Sequence, residues 1–122
     1  MKIKVIFSGV LTILLAAIVF TSCHKSNSSN AVTAASVSIK NMAFNPGSVS
    51  VTTGATVTWT NSDTTIHTVT ADDGSFNSGN IAVGATYSRA FSSAGTFSYH
   101  CTIHPEMTGK VVVTVATSGG GY

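Results

Sequence analysis

TFSYHCTIHPEMTGKVVVTV, residues 96–115, reads as strand, loop, strand. In its first part Phe97, Tyr99 and Cys101 alternate with other residues, and in its last part Val111, Val113 and Val115 do the same. Alternation with a period of two in short runs is the signature of a strand with one buried face. The intervening loop holds His104 and Met107, so that Cys101, His104 and Met107 follow one another at steps of three. Three soft or borderline metal donors therefore lie within seven residues at a strand end.

Working outward, the same alternation recurs. Val37 and Ile39 share a face, as do Val49 and Val51, and then Val57, Trp59 and Asn61. Turn chemistry separates these runs: Asn45-Pro46-Gly47, Thr53-Gly54, Asp73-Gly74, Gly79-Asn80, Val83-Gly84 and Ala94-Gly95. No long helical period interrupts them. Seven or eight short strands in about 80 residues predict an all-β fold, a Greek-key antiparallel sandwich of two sheets. Trp59, Phe91, Phe97 and Tyr99 are expected in its core, and Lys25 and Lys40 on its surface.

The N-terminus has a different character. Lys2 and Lys4 precede an apolar run of 16 residues, Val5 to Phe20, followed by Thr21, Ser22 and Cys23. This is the form of an export signal, and it is short for a membrane span, which needs about 20 residues. A small residue directly before Cys resembles the lipoprotein cleavage site of bacteria, in which the Cys is lipidated and becomes the first mature residue. Ordinary cleavage near Cys23, leaving a soluble exported protein, and an uncleaved anchor are the alternatives. The expected organisation is thus a signal over 1–22, a lipid-bearing Cys23 with a flexible Ser/Asn-rich tether to 35, a domain over 36–116 and a flexible tail over 117–122.

Processing changes the charge. The whole chain has six basic and four acidic residues. Without Lys2 and Lys4, four basic residues (Lys25, Lys40, Arg89, Lys110) face four acidic ones (Asp63, Asp72, Asp73, Glu106). A neutral chain with no Lys/Arg cluster excludes a nucleic-acid surface and leaves little long-range steering of a partner. With Cys23 lipidated, Cys101 is an unpaired thiol in an oxidising compartment, where it is either buried and inert or bound to something.

The neighbours of Cys101 favour binding. One more histidine, His67, lies 34 residues upstream at the edge of another alternating run. Two imidazoles and a thiolate in a plane, with a weak axial thioether, make a blue-copper electron-transfer site. Cys101, His104 and Met107 with His67 supply that set, in an exported β domain. His100 is expected to face away from Cys101 because strand side chains alternate, and His24 falls in the tether.

The segments VTWTNSDTTIHTV and FSYHCTIHPEMTGKVVV resemble the cupredoxins, small blue-copper proteins, and the short ligand loop is most similar to the amicyanin group. The resemblance spans roughly Val37 to Val115. It implies an eight-stranded sandwich, one copper ion, and His67, Cys101, His104 and Met107 as its ligands. It also implies that Asn61 ties the ligand loops together and fixes the Cys101 region. Pro105, kept from the amicyanin pattern, should hold His104 extended. Two positions depart from that pattern: Ile103 stands where a proline is usual, and Glu106 where an aromatic is usual, which changes the expected docking surface.

The function implied is one-electron transfer between protein redox partners (a cytochrome, dehydrogenase or oxidase) by a monomer tethered through lipid to a membrane of the bacterial cell envelope. The alternative is an exported copper-binding or storage module, although Met42 and Met107 are the only methionines of the mature chain. A third reading is an adhesion or structural sandwich with incidental Cys and His. An enzyme is the least expected, since the oxidase and nitrite-reductase copper centres need a second Cys or further domains.

Overall fold

The computed structural model describes residues 33–117. The expected signal, Cys23, nearly all of the tether and the end of the tail lie outside the described residues. Within them the chain forms eight strands: β1 (Ala34–Lys40), β2 (Ala43–Asn45), β3 (Ser48–Thr52), β4 (Ala55–Asn61), β5 (Thr70–Ala71), β6 (Thr86–Phe91), β7 (Gly95–His100) and β8 (Thr108–Thr114). They make two four-stranded sheets, in the orders β2-β1-β4-β6 and β3-β8-β7-β5.

The alternating residues bury where their period places them. Val37, Ile39, Val51, Val57, Trp59, Tyr99, Val111 and Val113 fill the space between the sheets. Trp59 is the hub: its ring lies edge-on to Tyr99 at 5.5 Å between centroids and tilted against Phe76, Tyr87 and Phe91. Phe97 packs at the margin, partly buried, against Phe91. Sheet faces this apolar must be covered to be stable, and stacking two of them face to face is the solution open to a domain whose described residues hold no helix.

Three details differ from the sequence expectation. The sandwich is mixed, not purely antiparallel: β1 pairs parallel with β4, and β3 parallel with β8. Strict reversal at every turn would make β4 antiparallel to β1. The chain instead switches sheets between β2 and β3, at Pro46–Gly47, without reversing. A period of two reports which face a residue takes and not the direction of its neighbour, so this was not legible. Second, β1 begins at Ala34, two residues before the expected domain start, with Ala34 and Ala35 paired to Thr56 and Val57. Third, Val115 does not continue the buried face of Val111 and Val113. β8 ends at Thr114, and Val115 is exposed.

Several turns require the backbone freedom of glycine, as at Gly54 (φ 90°), beyond β3, and Gly84 (φ 81°), before β6. The β1–β2 turn has no glycine. Asn41 and Met42 both take left-handed φ, 55° and 58°, a conformation that costs non-glycine residues free energy and needs support from outside the turn.

Candidate metal centre

The connection from β7 to β8, residues 101–107, is closed by its own backbone. The Met107 N–H donates to the His104 carbonyl (2.9 Å) and the Cys101 N–H to the Met107 carbonyl (3.1 Å). Pro105 takes the second position of the His104–Met107 turn, where its fixed φ suits. His67 arrives separately, on the connection from β4 to β5. Its backbone is clasped to Ile81, whose N–H donates to the His67 carbonyl at 2.8 Å.

These two segments bring three donor atoms together. The ligand atoms of His67, Cys101 and His104 lie within 4.8 Å of one another. His67 Nδ1 and His104 Nδ1 are each 3.8 Å from Cys101 Sγ, and the two rings sit 5.0 Å apart between centroids. His67 and Cys101 are fully buried, His104 is partly exposed, and Met107 is buried at the end of the same loop. His100 is not part of the cluster: its Nδ1 pairs with the Asp72 carboxylate at 2.6 Å on the sheet surface, as alternation along β7 requires.

The surroundings favour a thiolate. Burial pushes the Cys101 thiol up. The Thr68 N–H, the His67 ring, and the backbone and ring of His104 outweigh it and bring the pKa from 9.0 to about 6. The Thr68 N–H lies 3.3 Å from the sulfur. The Thr68 hydroxyl accepts from the Thr102 N–H at 2.8 Å and sits 3.0 Å from the Thr102 hydroxyl. Thr68 therefore ties the His67 segment directly to the Cys101 segment.

That role was expected of Asn61, and the structure gives Asn61 a different one. Its side chain donates to the carbonyls of Thr65 (2.8 Å) and Ile81 (2.9 Å) and accepts from the Asp63 N–H (3.0 Å). Asn61 thus shapes the loop that carries His67, and none of these bonds reaches Cys101. The physical reason is position. β4 and β7 belong to different sheets, and the residue next to His67, not the end of β4, faces Cys101.

A second residue that the sequence did not single out is Asp63. One oxygen accepts from the Met42 N–H and faces His67 Nε2, both at 3.0 Å, and the other accepts from the Thr64 N–H at 2.9 Å. The Met42 and Thr64 N–H bonds, with the His67 contact, hold the Asp63 carboxyl down at about 2. Asn61, His67 and Thr68 are the buried polar residues among those described, so the polar interior of the domain is concentrated at this centre. The donor set fits copper: a thiolate with two imidazoles selects it over hard-cation chemistry, and the thioether of Met107, buried on the same loop, is a soft donor.

Comparison with known proteins agrees with this reading. A family model described as a cupredoxin-like domain matches residues 11–113, and the chain belongs to that family. Within it the chain is of amicyanin type. It is 38% identical over 82 residues to amicyanin-alpha of Methylorubrum extorquens, spanning 63% of this chain and 69% of that protein. It is 37% identical to amicyanin of Paracoccus denitrificans, again over 82 residues, spanning 63% of each. A solved Cu(I) form of an amicyanin mutant superposes with a TM-score of 0.62 at 37% identity, covering 66% of this chain and 82% of that one. The family binds one copper ion, and His67, Cys101, His104 and Met107 form the candidate site for it here.

Proposed function

We propose that the protein is a one-electron carrier that would hold a single type 1 copper ion through His67, Cys101 and His104, with Met107 as a further, weak donor. The observation that carries the reading is the convergence of two imidazole Nδ1 atoms at equal distance, 3.8 Å, on a buried thiol. A copper ion bound there supplies a one-electron couple. The residues of the chain do the rest. The β4–β5 connection and the 101–107 loop are pinned to each other by Thr68, so the donors hold one geometry and little has to reorganise when the charge changes. His67 is sealed from water, and His104 keeps part of its ring at the surface, where an electron can leave or enter.

The surroundings of His104 suit a protein partner. Ile66 and Ile103, each directly before a candidate ligand histidine, are 42% and 47% exposed, an apolar pair beside the exposed ring. Glu106 adds one charge to this end. The similarity to amicyanins supports redox proteins as partners, such as a cytochrome, dehydrogenase or oxidase, and an electron carrier in place of an enzyme. The signal-like N-terminus and Cys23 support a working protein in the bacterial envelope, lipid-tethered to a membrane.

Copper storage without redox cycling is the second reading, and the buried, rigid single site argues against it. Voltammetry of the copper-loaded protein tests this directly. One reversible one-electron wave is expected. A protein that binds copper and gives no reversible wave would make storage the better account.

A further inference from the structure

Resting on the copper reading above, we propose that Asp63 is a positioning residue of the centre: its carboxylate fixes the tautomer of His67 and biases the bound couple toward the oxidised state. The atoms able to donate decide the tautomer. The carboxylate already accepts the Met42 and Thr64 N–H groups, so it is present as an acceptor. At 3.0 Å from His67 Nε2 it requires the proton to be on that nitrogen. Nδ1 then keeps its lone pair, and Nδ1 is the atom that points at Cys101 Sγ.

The arrangement is one-sided. His67 is fully buried and the Asp63 side chain is 12% exposed, so the carboxylate meets the ring across a contact that water only partly reaches. Among the described residues no carboxylate bonds His104. Of the two candidate imidazole ligands, the buried one is locked by an anion and the outer one is left free to face a partner. An anion hydrogen-bonded behind a ligand histidine raises the basicity of that ligand, which stabilises the higher charge on the metal. The same oxygen supports the left-handed turn at Asn41–Met42, so the ligand and the β1–β2 turn share one anchor. Asp63 keeps its charge, and His67 its Nε2 proton, in both oxidation states. The one electron exchanged goes to or comes from the partner.

The test uses the full chain in detergent, loaded with copper, beside D63N and D63E, at one pH. The amide introduced by D63N keeps an acceptor oxygen and loses the charge; hence D63N is expected to shift the oxidised-to-reduced ratio about tenfold toward Cu(I), about 59 mV upward for a one-electron couple. D63E should recover most of that shift. A blue D63N within about twofold of the wild-type ratio would overturn the proposal while leaving the copper reading intact. A second arm needs neither a variant nor copper. In nitrogen NMR spectra of the metal-free wild-type chain, the neutral His67 ring should carry its proton on Nε2. A neutral ring protonated on Nδ1 would overturn the proposal, even if D63N fails to fold or the chain takes up no copper.

Discussion

Thr68 serves the centre with two different groups, its backbone N–H toward the Cys101 sulfur and its hydroxyl toward Thr102. T68V removes only the second. The Thr102 N–H then loses its partner at an exposed residue, which costs about 0.5–1.5 kcal/mol, while the N–H to sulfur remains. Urea unfolding of metal-free T68V should give that loss, with the copper band of the loaded protein kept. Asp63 sets a pH signature. Its folded pKa, about 2, lies below the ordinary 3.8. Its stabilising contribution is therefore complete above about pH 4 and fades as the pH falls through about 2. The stability gap between wild type and D63N should be widest near neutrality and narrow steadily below pH 4. A gap that widens on acidification would contradict the assignment. At this scale the sequence was informative about donors. Cys101, His104, Met107 and His67 could be singled out because few residue types offer such atoms and their spacing is constrained, and the structure brings the donor atoms of His67, Cys101 and His104 together. Thr68 and Asp63 were not, because Thr and Asp in a polar loop have many ordinary uses, and what distinguishes them here is a neighbour 33 residues away for Thr68 and a turn 21 residues away for Asp63.

The element that sets the centre is the β7–β8 pair. Its register places Tyr99 opposite Gly109, and the tyrosine ring covers the glycine. A Cβ built on Gly109 would lie 2.5 Å from both Cζ and the hydroxyl oxygen of Tyr99, closer than packed atoms come. Tyr99 is fully buried against Phe44 and Trp59, so it has little room to retreat. G109A should cost about 1–3 kcal/mol through overpacking, read as a lower unfolding midpoint. It should also disturb the blue band, because Cys101 and Met107 flank this pair. A G109A protein as stable as wild type would mean that the ring yields. The strands themselves could be read from alternation because each has one wet and one dry face. The two parallel pairings could not, since they depend on where the chain changes sheet.

On the scale of the whole molecule, the two sheets meet around Trp59, and the centre lies at one end of that core, built from two connections that leave different strands. The sandwich supplies rigidity and the connections supply chemistry. This is why the architecture follows from composition and pattern, while the bonds that lock the connections together arise only in the folded domain. Equal spacing of two imidazoles from one sulfur is a property of the assembled domain and of no single segment. It is also the property most open to direct measurement. Copper(II) should be added to the protein beside C101S and the visible spectra compared. The expected result is an intense blue thiolate-to-copper band in the wild type, bleached reversibly by a mild reductant and absent from C101S. A well-folded wild-type protein that stays colourless with copper, or a C101S protein that shows the same band, would contradict the account.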